Sequence, residues 1–167
     1  MRLLLITTLL FASGVGAASA SQRRLDRSKE FAYTLPDGWN VVPTLRGAHD
    51  VIVLPADDGK SRNIVINDQP GTSPLAELKR KYERDLPKAL KDFQQISREL
   101  VELQGKRQTI RIIHTNTTPG VPVRQINYVV EVGGRRYLVA CTVLMEDGDH
   151  YDKVFEAFVS SMVEPGK

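Results

Sequence analysis

The chain has 167 residues, with 23 Lys and Arg against 20 Asp and Glu, for a formal charge of +3. That mixed balance argues against a nucleic-acid binder, which concentrates basic residues in a stripe. Cys141 is the only cysteine, which excludes an intramolecular disulfide framework.

Residues 1–20 read as a secretory signal. Arg2 supplies the positive start, Leu3 to Ala12 the apolar run, and Ala18-Ser19-Ala20 a small-x-small site for cleavage after Ala20. The run is shorter than the roughly 20 residues a membrane-spanning helix needs. Ser21, not a cysteine, follows the site, so the expected product is a soluble periplasmic or secreted protein without a lipid anchor. Residues 21–30 carry Arg23, Arg24, Arg27 and Lys29 and read as a flexible basic tether. Residues 31–164 then have the size of one domain.

Phe31 to Leu35 alternates large and small residues as a half-buried strand does. Pro36-Asp37-Gly38 is a turn, and Trp39 to Val42 opens the next strand. Apolar runs at 50–54 and 63–66, separated by Asp57-Asp58-Gly59, predict two more strands joined by a hairpin. Leu75, Leu78, Tyr82, Leu86 and Leu90 step by three and four, which predicts a helix over 74–92 with Ser73 as its N-cap. Pro87 is expected to kink or restart that helix near Asp85. Strands follow over 94–104, 106–116 and 123–132. The strand over 137–145 is apolar on both faces and so is expected at the centre of the sheet. Asp149 is expected to cap a last helix over 150–163, with Val154, Phe155, Phe158, Val159 and Met162 as its buried stripe. Hairpin-linked strands with two amphipathic helices give an α+β class: an α-β-α sandwich, its antiparallel sheet covered by the mid-chain and C-terminal helices.

No catalytic signature emerges. His49, His114 and His150 show no metal-ligand spacing. Ser160-Ser161 lies in no nucleophile elbow, and Cys141 is mid-strand among apolar neighbours, where a buried thiol is inert. Glu146-Asp147-Gly148-Asp149 reads as a strand-to-helix turn and lacks an EF-hand ligand pattern. Arg111, Arg124, Arg135 and Arg136 form either a basic patch or solvated strand edges. Asn116-Thr117-Thr118 matches the glycosylation pattern. No cofactor, metal site or catalytic residue is expected. Phe31, Tyr33 and Trp39, crowded around one turn, are the residues expected either to bind a partner or to staple the first hairpin into the core.

The segment Phe31-Ala-Tyr-Thr-Leu-Pro-Asp-Gly-Trp-Asn40 resembles the opening strand-turn of the PsbP-like superfamily. Extended through the mid-chain helix, the strand ending at Met145 and the C-terminal helix with Tyr151, Phe155 and Phe158, the chain is most similar to the exported bacterial DcrB-like branch. The resemblance implies an α-β-α sandwich that acts by binding other proteins. The expectation is a noncatalytic exported accessory protein that binds an envelope protein of unknown identity or assists envelope assembly. The alternative is a carrier of a lipid or small apolar ligand, with a deep pocket between the sheet and the mid-chain helix. A hydrolase would need one of the histidines within reach of a nucleophile.

Overall fold

The structure, a computed structural model, describes residues 22–43, 48–55, 62–104, 107–118 and 120–167. The signal segment and the turn at Asp57-Asp58-Gly59 lie outside the described residues.

The segment expected as a tether is folded. Strand β1 (Gln22–Leu25) pairs antiparallel with β2 (Ala32–Leu35), Gln22 opposite Leu35 and Leu25 opposite Ala32. Asp26 organises the turn between them. Its carboxylate accepts from the backbone N–H of Ser28 at 2.7 Å, Glu30 at 2.5 Å and Phe31 at 2.9 Å. All four β1 residues are exposed, so the strand has no apolar face to betray it; backbone pairing with β2 holds it, and the Arg23 guanidinium donates to the Lys167 carbonyl.

The main sheet has seven antiparallel strands. They are β3 (Asn40–Val42), β4 (Ala48–Leu54), β5 (Arg62–Asp68), β6 (Gln94–Leu103), β7 (Arg107–Thr117), β8 (Pro122–Val132) and β9 (Arg135–Leu144), in the spatial order β3-β4-β5-β9-β8-β7-β6. β9 takes the middle place, as its two apolar faces require. Helix α1 (Leu75–Ala89) joins β5 to β6, and α2 (Asp152–Ser160) follows β9 after a short 3-10 turn over Met145–Asp147.

Alternation along the strands assigns each helix to a face. Tyr137, Val139, Cys141 and Val143 of β9 join Phe155, Phe158, Val159 and Met162 in the larger core, together with Phe31, Tyr33 and Trp39. Leu138, pointing the other way, meets Leu78 of α1 with Ile110, Ile112 and Val129. The sheet is therefore covered by α1 on one side and by α2 with the β1–β2 hairpin on the other, the α-β-α sandwich expected. The chain end is tied back where Ala32 and Val163 exchange backbone hydrogen bonds at 2.8 and 2.9 Å.

Both helices differ from their predicted spans. α1 begins at Leu75 behind Pro74, and Ser73 makes no side-chain cap. Pro87 does not break it near Asp85; the helix continues to Ala89. Pro87 removes the one bond its own N–H would make to the preceding turn, and the helix still closes beyond it, the Leu90 N–H donating to the Leu86 carbonyl at 3.0 Å. α2 is shorter than predicted at both ends: residues 148–151, behind the 3-10 turn, form further turns and leave Tyr151 as an N-cap without a side-chain bond, and beyond Ser161 the chain leaves to pair Val163 with Ala32. Asp147, not Asp149, holds the 3-10 turn: its Oδ2 accepts from the Leu144 N–H at 3.0 Å and from Arg62 Nε at 2.9 Å.

Candidate functional site

The turn at Pro36-Asp37-Gly38 aims Trp39 inward. Gly38 takes φ +80°, open to glycine at little cost, and the Trp39 N–H closes the turn on the Pro36 carbonyl at 3.1 Å. The indole then meets Phe155 of α2 edge-on at 5.8 Å and Tyr151, the residue just before α2, at 6.2 Å. Tyr151 and Phe155 are one helical turn apart and so present their rings on the same side.

Between this turn and α2 lies a cleft of about 430 Å³. Leu35, Trp39, Leu54, Tyr151, Val154 and Phe158 give it predominantly apolar walls, and Asp37 and Thr34 stand among its lining residues. Of the three aromatics singled out by sequence, only Trp39 lines it. Phe31 and Tyr33 are fully buried, Phe31 edge-on to Tyr137 at 4.7 Å and Tyr33 beside Phe158 at 5.3 Å. Tyr151 and Val154 were not singled out for binding, because on a helical wheel they are indistinguishable from core positions. Their half-buried state arises only from the gap left by the turn.

The histidines stay apart in chemistry. His49 is buried with both ring nitrogens facing carboxylates: Nδ1 is 3.2 Å from Asp26 Oδ2 and Nε2 is 3.2 Å from Asp68 Oδ1. His114 is fully buried beside the Phe93 ring, at 5.1 Å, and touches the Asn116 and Asn127 amides at 3.3 and 3.1 Å. Burial pushes its imidazole down to about 4, so the ring is neutral. His150 is exposed and lies against the Tyr151 ring. None of these contacts pairs a histidine with a serine or cysteine, as a base-nucleophile couple requires. Burial also raises the Cys141 thiol well above its ordinary value. Ser161 is used structurally: its Oγ accepts from the Thr34 N–H at 2.9 Å and donates to the Phe158 carbonyl at 2.6 Å.

The arginines do not gather into one open basic surface. Arg124 forks onto Asp152 at 2.5 and 2.8 Å, and Arg111 reaches Glu99 and Glu156. Arg135 pairs with Glu30 and Asp68, and Arg136 with Glu131. Asn116, the glycosylation-pattern residue, is buried in the His114 network, out of reach of a modifying enzyme. Among the described residues no helix is long and apolar enough to cross a membrane.

No family model matches the chain, and no curated protein matches it in sequence. Solved structures do share its architecture. A cyanobacterial PsbP (CyanoP) from Synechocystis sp. PCC 6803 superposes with a TM-score of 0.60 at 17% identity, over 92% of this chain and 97% of that one. LpqN of Mycobacterium tuberculosis, a protein involved in cell envelope biogenesis, gives 0.58 at 17% identity over 89% and 88%. A Bacteroides thetaiotaomicron protein gives 0.62 at 15% identity over 88% of this chain, which spans about half (49%) of that longer one. At such identities the likeness speaks for architecture. Together with the antiparallel sheet between two helices, it shows that this chain has the PsbP-like fold.

Proposed function

We propose that this is an exported, noncatalytic accessory protein that captures an apolar segment of an envelope protein in the cleft between the Trp39 turn and α2. The supporting observation is the cleft itself: apolar walls, one indole at its side and polar groups beside it, the makeup of a protein-binding hot spot. The involvement of LpqN in envelope biogenesis supports the setting, and the sequence of residues 1–20 supports export. Phe31 and Tyr33 serve as the rigid backing that fixes Trp39 and α2, not as contact residues.

A lipid carrier needs enclosed apolar volume between the sheet and α1. There Leu78, Ile110, Ile112 and Val129 pack directly with Leu75, Tyr82 and Leu86. The apolar cleft lies on the other face of the sheet and holds about 430 Å³, which suits a few side chains better than a complete lipid.

The test is site-specific photo-crosslinking from Val154 in the native envelope, with Lys153, exposed on the same helix, as the control position. A discrete crosslinked protein from Val154 alone, lost on Tyr151→Ala, is the expected result. Crosslinks to lipid only, or equal products from both positions, would overturn the reading.

A further inference from the structure

Three separate segments converge on His49. Asp26 and Glu30 come from the β1–β2 turn, His49 from β4 and Asp68 from the end of β5. The ligand atoms of Glu30, His49 and Asp68 all lie within 4.8 Å of one another. We propose that they form a binding site for one divalent transition-metal ion of the zinc type, with Asp26 as the positioning residue behind His49.

The argument starts from Asp26. It is buried, and three backbone N–H groups donate to its carboxylate. A carboxylate that takes three N–H donors serves as an acceptor throughout, so the facing His49 Nδ1 carries the hydrogen and donates to it. This is the carboxylate-histidine arrangement that fixes the tautomer of a metal-binding imidazole. In the neutral ring the Nε2 lone pair then points at Asp68 Oδ1, 3.2 Å away, and Glu30 Oε2, 3.9 Å away. A lone pair facing two carboxylate oxygens is repulsive unless a cation stands between them. That cation is either the second imidazole proton or a metal.

Spacing and charge favour a metal as occupant. Tetrahedral ligands on bonds of about 2 Å stand about 3.3 Å apart, close to the His49–Asp68 separation. In the described ion pairs three carboxylates and the Arg135 guanidinium meet at the ring, so with a neutral His49 this set carries two negative charges in excess. A divalent ion balances them. One imidazole with two carboxylates suits zinc or manganese better than the all-oxygen preference of calcium or magnesium.

The site also has an entry path. Asp68 and Arg135 line an open cleft of about 590 Å³ with Gln69, Glu131 and Arg136. An ion entering there meets Asp68 first, and its fourth position faces the cleft, where a water or an anionic ligand completes the shell. Arg135, which pairs with both Glu30 and Asp68, is half exposed and is the competitor the ion must displace.

Calorimetric titration of the purified protein with Zn²⁺, Mn²⁺ and Ca²⁺ tests the proposal. Expected are one equivalent of Zn²⁺, Mn²⁺ more weakly and Ca²⁺ not at all. Asp68→Asn, a surface change that leaves the core intact, should weaken Zn²⁺ at least tenfold. Asp26→Asn should weaken it about 10- to 100-fold. Arg135→Gln should tighten it. In ¹⁵N imidazole spectra the His49 Nε2 resonance should shift with Zn²⁺ while those of His114 and His150 stay. No saturable Zn²⁺ binding, or binding unchanged in a folded Asp68→Asn, which marks an adventitious ion only, would overturn it.

Discussion

Arg107 of β7 closes the end of α2, its guanidinium donating to the Met162 carbonyl at 2.7 Å and to that of Val159 at 2.9 Å. The Val159 carbonyl also accepts a long bond from the Met162 N–H at 3.3 Å, so the guanidinium supplements the weakly closed last turn, and its positive charge complements the negative end of the helix dipole. Arg107 thereby fixes α2 against the sheet and holds the rear of the apolar cleft. Arg107→Met keeps the aliphatic stem but strips these bonds. The expected loss is about 1–3 kcal/mol in denaturant unfolding, with the near-ultraviolet signal of the aromatic cluster weakened. An unchanged midpoint would show that the carbonyls are equally satisfied by water.

His114 makes the protein acid-sensitive. Its imidazole is held down to about 4 against an ordinary 6.5. The unfolded chain therefore binds the proton first, and stability is complete above pH 6.5 and lost as pH falls toward 4. The shift corresponds to about 3 kcal/mol across that window. His114→Gln should flatten this part of the stability profile. A variant profile as steep as that of the parent would place the proton uptake elsewhere.

The sheet was readable from the chain because strands with one buried face alternate and strands with two are uniformly apolar. β9 illustrates the second case, and every main-sheet strand lies within a few residues of its predicted span, whereas β2 of the small sheet is buried on both faces although its residue sizes alternate. β1 escaped because periodicity records burial, and a strand with no buried residue has none to record. Trp39 was legible as part of a site because the Pro-Asp-Gly turn before it is local chemistry. Its partners Tyr151 and Val154 lie more than a hundred residues away in the chain, on a stripe that reads as core. The His49 group was hidden for a related reason: its ligands come from three segments with no ligand spacing, and only the hairpin and the β4–β5 pairing bring them together.

Cys141 is fully buried at the centre of β9, and burial raises its thiol. A thiol reagent added to the native protein should therefore react at the rate of global unfolding, and promptly only in denaturant. Rapid native labelling would reopen the case for a reactive thiol that the packing closes.

Trp39 is the only tryptophan and stands in the cleft wall, 4% exposed. Intrinsic fluorescence is accordingly a direct reporter of cleft occupancy. The free protein should emit at short wavelength, and an apolar peptide entering the cleft should change intensity in a saturable way. Val154→Asp should abolish that response without moving the free emission. A peptide that binds with no change at Trp39 uses another surface.

Two buried-edge carboxylates should respond oppositely to pH. Asp50 accepts from the Tyr33 hydroxyl at 2.8 Å, yet burial raises its carboxyl above the ordinary range. The fold therefore binds its proton more tightly than the unfolded chain does, and this contribution is present at low pH and falls as pH rises through the raised value. Asp147 is the reverse. Its fork with Arg62, at 2.9 and 2.6 Å, lowers its carboxyl, so its contribution is present at neutral pH and lost on acidification. Asp50→Asn should gain stability at pH 7 and converge on the parent as pH falls toward 4. Asp147→Asn should lose about 1–3 kcal/mol at pH 7, with the deficit holding down to about pH 4 and shrinking only below the ordinary carboxyl value of 3.8. Chemical denaturation of both variants at pH 7, at pH 4 and below about pH 3 distinguishes the cases. If both deficits carried the same sign, the Tyr33–Asp50 bond would outweigh the cost of burying its charge.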